Sequence, residues 1–575
     1  MNYAAILHIP MSEYAFAVDE NTLVFRLRTA KDDIKECTLF FGDRACRKTP
    51  VDYFYRPMKR VMGDDMFDFW EITLKTSIKR ILYGFSIVDF SGERRLYYGA
   101  RLNQEMTIDR SEYFQLPFNH RADRAVVPDW MKDACVYNIF PDSFATGKEY
   151  ISGLPTEKTY KGEAVRGKLG GTIRGITENL EYIKDLGFSV IYMNPIFAAG
   201  EYHKYDLIDY YHIDPAFGTD EEFGILVRKA HAMNMRVMID GVFNHCGWNF
   251  FAFKDAVKMG RVSRYWDWFY GLNEPVTVPD NMEDYPNYEC FGYERMMPKL
   301  ATDNPEVRDY FVNVGAYWVE KYDIDGWRLD VASEANDSFW RAFRKRVKAI
   351  KKDVCLIGEI WETASHWLDG SMFDGAMNYD FRRHARRFFA LSDIDAREFE
   401  SRVTDMLMRY RTQVAYAQLN LLDSHDVSRF LSLCGGDERK MKLAVLFQMT
   451  FPGMPSVFYG DERAMTGVLE EEYRHPMPWN EEKGNLFCFY KHVIHLRNEE
   501  CALRRGTFSV IESEKGGGFF RYLRKYGENE IEIVINRSEN KKKISSNGEI
   551  LFSEGYESGI LDAYGFYVYR RIKQE

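Results

Sequence analysis

Residues 326–334, Gly-Trp-Arg-Leu-Asp-Val-Ala-Ser-Glu, and residues 354–359, Val-Cys-Leu-Ile-Gly-Glu, form the part of the sequence that decides the fold. Each is a short apolar run that ends in acidic text, with Asp330 closing the first run and Glu359 the second. The two carboxylates are 29 residues apart, close to one strand–helix–strand repeat of about 30 residues. The spacing therefore predicts neighbouring parallel strands with acidic side chains at their carboxyl ends.

The same pattern extends from about residue 130 to 500, where apolar runs alternate with amphipathic helical stretches. Six further runs end in polar, mostly carboxylate-rich text, at residues 140–142, 193–195, 240–245, 378–380, 424–426 and 460–462. Eight strands that alternate with helices predict an α/β protein built on a (β/α)8 TIM barrel. In such a barrel, the loops at the carboxyl ends of the strands form the functional site.

Short alternating runs with turn signals flank the barrel and indicate all-β modules. We assign residues 1–118 to an N-terminal β-sandwich, 119–500 to the catalytic barrel and 501–575 to a C-terminal β-domain. The sequence between the third and fourth predicted strands exceeds one strand–helix–strand repeat by about two further repeats. This surplus predicts an insertion after barrel strand 3, at about residues 246–300. Its aromatic residues suggest a wall over a cleft: Trp248, Trp266, Trp268, Tyr270 and Tyr285.

Composition excludes several classes of protein. The net charge of −10 argues against a nucleic-acid partner, which would require a basic surface. Residues 1–20 lack a basic start, and the apolar run at residues 443–459 is broken by Pro452 and Pro455, so we expect neither a secretory signal nor a membrane span. Nine scattered cysteines without a CxxC spacing indicate reduced thiols and a cytoplasmic protein.

Converging carboxylates point to glycoside chemistry. The barrel would aim Asp330, Glu359 and Asp426 at one volume. A retaining glycosidase needs an ionised nucleophile and a protonated acid about 5–5.5 Å apart. Arg328, on the same strand face as Asp330, is expected to keep Asp330 ionised, and the apolar residues around Glu359 favour an acid role. Any one of these carboxylates alone could equally be a cap or salt-bridge residue.

Four ordered segments resemble the signature regions of the α-amylase family, glycoside hydrolase family 13. They are residues 240–245 (Asp-Gly-Val-Phe-Asn-His), 326–334, 358–362 (Gly-Glu-Ile-Trp-Glu) and 423–426 (Asp-Ser-His-Asp). Residues 297–300, Met-Pro-Lys-Leu, resemble a fifth region found in the neopullulanase, cyclomaltodextrinase and maltogenic amylase subgroup. Residues 136–142 and 203–206 resemble further segments of the same subgroup. The first 115 or so residues resemble its starch-binding-type module, carbohydrate-binding module family 34. The resemblance thus covers nearly the whole chain.

The resemblance implies retaining hydrolysis of α-1,4-glucosidic bonds in short maltooligosaccharides, cyclodextrins or pullulan. It makes Asp330 the nucleophile, Glu359 the acid/base and Asp426 the transition-state stabiliser. The implied substrate-binding residues are Tyr205, His245, Arg328 and His425, with Glu334 and Trp361 on the acceptor side and Asp240 and Asn244 as structural support. Each of these residues could instead have a structural role. The two histidines could be buried core residues with satisfied hydrogen bonds, and Tyr205 could simply pack in the core. Glu334 and Trp361 could be ordinary residues of the rim.

Two departures leave the balance of hydrolysis and transfer open. The subgroup usually has asparagine at the positions of Ser333 and Ala301, both of which border the acceptor sites. A transglycosylase or isomerase of the same fold is therefore an alternative, for example a trehalose synthase-like or branching enzyme. A catalytically inactive glucan-binding relative is a second alternative, although it would have lost one of the three carboxylates that this chain retains.

The resemblance also implies a homodimer in which the N-terminal module packs over the neighbour's barrel mouth. No cofactor is expected. Residues 145–149 and 170–172 stand where the subgroup has its calcium loop. They supply few of the oxygen ligands that a hard cation takes, and the Lys148 ammonium would repel the cation. Asp142, Glu149 and Glu163 are the acids that remain nearby. We therefore expect no structural calcium.

Overall fold

The computed structural model describes residues 1–146, 169–281, 283–545 and 548–572. The chain divides into two compact units. The first comprises Met1–Val126, Ser392–Tyr416 and Gly506–Glu575, and the second comprises Val127–Leu391 and Ala417–Arg505.

An antiparallel β-sandwich forms the N-terminal part of the first unit. Its strands are β1 (Ala15–Ala17), β2 (Thr22–Ala30), β3 (Ile34–Asp43), β4 (Phe54–Pro57), β5 (Lys59–Gly63), β6 (Phe67–Lys75), β7 (Ile81–Asp89), β8 (Arg94–Tyr98), β9 (Arg101–Asn103) and β10 (Phe114–Leu116). One sheet has the order β1-β2-β6-β5, and the other β4-β3-β7-β8-β9 with β10 beside β7. Phe25 and Leu27 from one sheet and Leu39 and Phe85 from the other are fully buried in a shared core. The predicted sandwich is confirmed.

The second unit is built on a closed barrel of eight parallel strands. In barrel order they are β11 (Val136–Ile139), β12 (Val190–Met193), β13 (Arg236–Val242), β16 (Gly326–Asp330), β17 (Cys355–Gly358), β18 (Gly375–Asn378), β19 (Leu419–Leu421) and β20 (Met454–Phe458). The apolar side chains of Met238, Ile357 and Leu419 are fully or almost fully buried inside it. The predicted (β/α)8 barrel is confirmed, and all eight predicted runs contribute a strand.

The register between the third and fourth barrel strands positions the site. Asp240 on β13 lies opposite Arg328 on β16, and Val242 lies opposite Asp330. Leu329 in turn pairs with Gly358 at the end of β17. Because all these strands are parallel, the polar residues at their carboxyl ends meet at one rim of the barrel.

Helices connect the barrel strands, and their ends carry the expected capping residues. The Thr219 hydroxyl caps the helix Asp220–Ala232 in a capping box with Glu222, and Pro305 opens the helix Pro305–Tyr322 behind the cap Asn304. The other α-helices in the described part of the second unit are Pro141–Phe144, Ile173–Glu178, Leu180–Leu186, Phe251–Met259, Asp337–Ile350, Tyr379–Ala385 (continued by a π-turn, Arg386–Leu391), Phe430–Leu433, Glu438–Thr450, Glu470–Tyr473, Asn485–Glu499 and Cys501–Arg505. Turns of 3₁₀-helix lie at Tyr3–Ala5, Arg110–Glu112, Arg121–Asp123, Asp129–Lys132, Gly260–Val262, Trp266–Trp268, Ala332–Glu334 and Asp461–Arg463.

The region between β13 and β16 contains the predicted insertion, with the helix Phe251–Met259 and the hairpin of β14 (Cys290–Phe291) and β15 (Glu294–Pro298). Two of its tryptophans pack inside it. The Trp248 ring lies 5.0 Å from that of Phe253, and the buried Trp268 indole donates a hydrogen bond to Glu306. These two rings therefore stabilise the insertion itself, whereas Phe291 of the same region stacks on His245.

The C-terminal β-domain and a segment from the middle of the chain complete the first unit. The domain contains β21 (Thr507–Ser513), β22 (Phe519–Tyr526), β23 (Asn529–Asn536), β24 (Lys542–Lys543), β25 (Gly548–Glu557) and β26 (Ile560–Arg571), so the predicted all-β fold is confirmed. The middle segment carries the helices Ala396–Met408 and Thr412–Ala415. Arg26 of the sandwich donates to the Tyr410 carbonyl at 2.7 Å and to Thr412 Oγ1 at 2.9 Å. The segment is thus tied to the first unit, while the domain boundaries near residues 118 and 500 stay predictions.

Among the described residues, none of the helices has the length and apolar character that crossing a membrane requires.

Candidate active site

Four carboxylates meet at the rim of the barrel. Asp240 lies on β13, Asp330 ends β16, Glu359 follows β17 directly and Asp426 lies in the loop after β19. Three of them are almost completely buried, with exposed fractions of 0% for Asp240, 5% for Asp330 and 6% for Glu359. The structure thus brings together the three predicted catalytic carboxylates and one predicted support residue.

The buried guanidinium of Arg328 contacts all four carboxylates. Its Nη1 lies 2.9 Å from Asp240 Oδ1 and 2.7 Å from Asp330 Oδ1. Its Nη2 lies 2.9 Å from Glu359 Oε1 and 3.7 Å from Asp426 Oδ2. Arg328 therefore organises the cluster, and its contact with Asp330 is as the sequence predicted.

Four carboxylates share the guanidinium of Arg328, and three of them are almost completely buried. Burial and the charge of Glu359 raise the pKa of Asp330 well above its usual range, against the opposing effect of Arg328. Burial and Glu359 also raise the pKa of Asp426, to about 7. The expected charge pairing is present and Arg328 lowers the pKa of Asp330, but burial and the charge of Glu359 outweigh it, so the net pKa is raised. Because each of these shifts depends on the charge of a neighbouring carboxylate, the cluster titrates as a unit.

The backbone between the two main acids is strained. Val331 directly follows Asp330 and has a φ of 44°, a left-handed conformation that is rare for a β-branched residue. Its N–H donates to Glu359 Oε2 at 3.0 Å. Such strain is typical of functional sites, and here it holds Glu359 beside the residue next to Asp330.

Asp240 and Asn244 lie below the site and orient their neighbours. Asp240 Oδ2 accepts hydrogen bonds from the Tyr192 hydroxyl at 2.9 Å and the Tyr205 hydroxyl at 3.0 Å. Asn244 Oδ1 accepts one from Lys299 Nζ at 2.5 Å. Both residues are buried, which suits the supporting role expected for them.

Tyr205 and His425 form a stacked pair beside the carboxylates. Their rings are nearly parallel, at 6°, with centroids 5.6 Å apart. Asn194 Nδ2 lies 2.9 Å from His425 Nδ1, and His425 Nε2 lies 3.1 Å from Asp426 Oδ2. Burial lowers the pKa of His425 well below its usual value. The imidazole is therefore neutral, and the amide donor at Nδ1 leaves the proton on Nε2, which lies 2.5 Å from the Tyr205 hydroxyl oxygen.

His245 lies on the insertion side of the site and stacks on Phe291, with ring centroids 4.9 Å apart. Burial lowers the pKa of His245 to about 3, so the ring is neutral in ordinary buffers. Within the described part of the chain, its buried Nε2 has no hydrogen-bond partner. Because buried polar atoms are normally paired, this nitrogen is suited to bond a hydroxyl of a bound ligand.

Glu334 and Trp361 lie on the rim, where acceptor-side residues were expected. Glu334 forms an ion pair of 2.9 Å with Lys299. The half-exposed Trp361 stacks on Tyr379, with centroids 3.9 Å apart, and its indole N–H donates to Glu359 Oε1 at 3.1 Å. Trp361 therefore covers Glu359 from the solvent side.

Sequence reasoning missed Tyr192, Tyr379, Phe291 and Arg474. Arg474 Nε donates to the His425 carbonyl at 2.8 Å, and its Nη2 lies 3.7 Å from Asp426 Oδ1, so a second cation faces this carboxylate. Tyr192 could have been found, since it precedes Asn194 by two residues and shares its strand face. No spacing in the sequence relates Arg474 to the site.

The described residues of the loop after the first barrel strand, where calcium was not expected, form hydrogen bonds within the protein. Both carboxylate oxygens of Asp142 accept the Leu169 N–H, at 3.0 and 3.1 Å, and Thr172 Oγ1 donates to the Thr146 carbonyl at 3.1 Å. These oxygens are therefore engaged by the protein itself. The other residues of the prediction, Gly147, Lys148, Glu149 and Glu163, lie outside the described residues.

Comparison with known proteins shows the class of protein that this fold and site define. Residues 138–499 match the family of the alpha amylase catalytic domain, and residues 1–120 match that of the alpha amylase N-terminal ig-like domain. The chain belongs to the alpha-amylase family, whose members are hydrolases that act on α-glucans.

Particular relatives resemble it over most of their length. A cyclomaltodextrinase of Geobacillus thermopakistaniensis is 42% identical over 95% of this chain and 92% of its own. Neopullulanase 2 of Thermoactinomyces vulgaris is 39% identical over 94% of this chain and 92% of its own. An intracellular maltogenic amylase of Bacillus subtilis is 38% identical over 88% of this chain and 85% of its own. A solved cyclomaltodextrinase structure matches with a TM-score of 0.91 at 35% identity, over 99% of this chain and 100% of its own.

Proposed function

We propose that the protein is a retaining glycoside hydrolase that cleaves α-1,4-glucosidic bonds in short maltooligosaccharides, cyclodextrins or pullulan. The observation that carries the proposal is the shared contact of Asp330, Glu359 and Asp426 with Arg328, deep at the carboxyl ends of the barrel strands. The names of the relatives, cyclomaltodextrinase, neopullulanase and maltogenic amylase, support this substrate class.

In the first step, Asp330 attacks the anomeric carbon while Glu359 gives its proton to the departing glycosidic oxygen. The C–O bond to the leaving sugar breaks, and a bond to the Asp330 carboxylate forms. In the second step, ionised Glu359 takes a proton from water, which attacks the same carbon and releases Asp330.

The remaining residues have positions suited to hold the sugar. His425 Nε2 and the unpaired His245 Nε2 would each bond a hydroxyl of the cleaved unit, and Asp426 would accept hydroxyl protons as positive charge develops on the ring. The Tyr205 ring would lie beneath the sugar. Trp361, beside Glu359, would contact the leaving unit, and Glu334 the acceptor beyond it.

The stereochemistry of the first product tests the mechanism. Two displacements at one carbon retain its configuration, so hydrolysis of maltotriose should release α-maltose first. Proton NMR, recorded within the first minutes before mutarotation, distinguishes the anomeric protons. Early β-maltose would mean a single displacement by water and would eliminate Asp330 as nucleophile.

A transglycosylase of the same fold is the second candidate. The observation that favours a transglycosylase is that Ser333 and Ala301 stand where the subgroup usually has asparagines. Chromatography of products from maltotriose separates the two functions. A hydrolase gives glucose and maltose only, whereas a transferase gives oligosaccharides longer than the substrate or new linkages.

We further propose a cytoplasmic homodimer. None of the nine cysteines, all within the described residues, forms a disulfide, and one relative is named as intracellular; both support the cytoplasm. For the dimer, β4 is an edge strand of the sandwich, and Phe54 and Tyr55 on it are each almost half exposed. Exposed aromatic rings on an open sheet edge are suited to a subunit contact.

The dimer can be tested on the full chain. Sedimentation should give twice the chain mass of 67.6 kDa, and the double variant Phe54→Glu/Tyr55→Glu should give the chain mass. Phe90→Glu, at an exposed turn of the same module, is the matched control and should remain dimeric. Deletion of residues 1–115 is a weaker test, because it also removes the Arg26 hydrogen bonds to residues 410 and 412. A wild-type protein of single-chain mass would refute the dimer.

We also propose that activity requires no metal, since the two-step mechanism uses only carboxylates and hydrogen bonds. After exhaustive chelation, the melting temperature and the rate of maltotriose hydrolysis should stay unchanged, and added calcium should alter neither. A fall of several degrees that calcium restores would contradict this proposal and would indicate a structural cation.

A further inference from the structure

The first unit contains a cavity that has no part in the proposed reaction. It measures about 380 Å³ and lies between residues 392–395 and the turns of the C-terminal β-domain. Pockets that bind small molecules span about 300–1,000 Å³, so its size suits a ligand. The buried Arg537 forms its base and donates from Nη2 to the Ile394 carbonyl at 3.0 Å. Asp393, Glu539 and Tyr564 stand around it.

The walls of the cavity are held in place by the protein alone. The Gly516 N–H donates to Asp395 Oδ2 at 2.7 Å, which fixes one turn against the 392–395 segment. On the opposite side, Asn536 Nδ2 donates to the carbonyls of Asn540 and Asp562, each at 2.8 Å. The cavity is therefore preformed, which lowers the entropic cost of binding.

Tyr564 provides a second, independent observation. Its φ is 55°, in the left-handed region that bulky residues rarely adopt. The Tyr564 N–H donates to the Ser538 carbonyl at 3.2 Å, and this bond helps to keep the strained conformation. Strain of this kind is concentrated at ligand clamps and active sites, so the aromatic ring is held beside the cavity at a cost in stability.

The lining identifies the class of ligand. Three acidic residues, Asp393, Asp395 and Glu539, line the cavity together with a single cation, Arg537, so an anion would be repelled. No group of three or more His, Cys, Asp or Glu among the described residues is arranged to hold a metal ion. The lining is mixed, with about as much polar as apolar surface, and its charged residues disfavour a lipid or an apolar peptide.

A neutral ligand with many hydroxyls satisfies all these conditions. Carboxylates accept hydroxyl protons, and a guanidinium donates two parallel hydrogen bonds to neighbouring oxygens. An aromatic ring can pack against the C–H face of a pyranose while its own hydroxyl bonds to solvent or ligand. The lining of the cavity thus matches a short stretch of sugar units.

We propose that this cavity is a second, non-catalytic binding site for α-glucan oligosaccharides. The choice of α-glucan among neutral sugars rests on the proposed function. The site shares no residue with the carboxylate cluster at the barrel rim, so it holds a glucan away from the proposed catalytic residues and does not cleave it.

The test uses the full chain with Asp330→Asn as background, so that glucans bind without turnover. Tyr564→Gly removes the ring and suits the positive φ, because glycine adopts this conformation freely, and the fold should keep its melting temperature. Tyr526→Ala is the matched control, since Tyr526 is an exposed tyrosine on another turn of the same domain. Binding is measured by calorimetric titration with maltotetraose and by retardation in native gels that contain amylopectin.

The background protein should bind two molecules of maltotetraose per chain, and Tyr564→Gly should weaken one of the two sites by about tenfold. Amylopectin should retard Tyr564→Gly less than Tyr526→Ala, which should migrate like the background. One site per chain in all three proteins, with equal retardation, would overturn the inference. That outcome is distinct from failure of the proposed function, which a lack of maltotriose hydrolysis by the unmodified protein would show.

Discussion

Replacing Asp330 by asparagine should lower kcat for maltotriose hydrolysis by roughly 10⁴-fold or more, because the amide cannot form the glycosyl–enzyme bond. The substitution should not lower the stability of the fold. The asparagine oxygen can still accept from Arg328 Nη1, which lies 2.7 Å from Asp330 Oδ1, and the change removes one negative charge from a cluster with four carboxylates. We therefore expect a melting temperature equal to or above that of the unmodified protein.

Asp240→Asn is the matched control. Asp240 is also buried and lies 2.9 Å from the same Nη1 atom, but it is surrounded by Arg328 and the hydroxyls of Tyr192 and Tyr205. Its substitution should change activity through their orientation only, with a smaller loss of kcat. If Asp240→Asn were as inactive as Asp330→Asn, the two carboxylates would not be distinguishable by role.

Azide provides a readout that a structural role would not produce. In Asp330→Ala, azide can enter the space of the missing carboxylate and attack the anomeric carbon once, which gives a β-glycosyl azide. In Glu359→Ala, the glycosyl–enzyme still forms from an activated substrate such as α-maltosyl fluoride, and azide then gives the α-product. NMR of the two azides should therefore show opposite anomers. The same anomer from both variants would contradict the assignment of roles.

Much of this site could be predicted because barrel strands recur at regular intervals. The 29-residue separation of Asp330 and Glu359 already placed them on neighbouring strands, and their contacts with Arg328 agree with this. The position of Arg328, two residues before Asp330, likewise predicted their contact. Such relations within one or two repeats can be read from the sequence alone.

Other features depend on register and on distant loops. Asp240 shares Arg328 because the two residues are opposite each other in β13 and β16. The net pKa of Asp330 is raised because its burial and the charge of Glu359 outweigh Arg328, and neither effect can be read from sequence spacing. Arg474 reaches Asp426 from a loop after the last strand, where no periodic pattern constrains it. The stacking of Trp361 on Tyr379 likewise requires the three-dimensional arrangement of two strand ends.

Replacing Arg328 by methionine should have the other large effect, on stability as well as on activity. The variant leaves four carboxylates without their common cation in a buried site. Loss of one partner from a buried ion pair costs about 3–5 kcal/mol of unfolding free energy. We also expect almost complete loss of hydrolysis, because Arg328 contacts both the proposed nucleophile and the proposed acid. Thermal denaturation and initial rates on maltotriose measure the two effects.

The sign of the accompanying pH dependence follows from the pKa values of the cluster. In the native protein the pKa of Asp426 is raised to about 7, above that of an unfolded aspartate at about 3.9. The native state therefore binds more protons than the unfolded state between these values, and the contribution of this group to stability declines as pH rises through that window. Arg328 lowers the pKa of Asp426 and of Asp330, so its removal should raise both and extend the decline to higher pH.

Arg429→Met separates this effect from the loss of any buried arginine. Arg429 is also fully buried and lies 2.9 Å from Asp461, but it contacts none of the four carboxylates among the described contacts. The Arg429→Met variant should lose stability to a similar extent as Arg328→Met, while the pH dependence of its activity should match that of the unmodified protein. The melting temperature of Arg328→Met should fall from pH 6 to pH 9 more steeply than that of either reference protein. Parallel curves for all three proteins would mean that Arg328 does not set the protonation of the cluster.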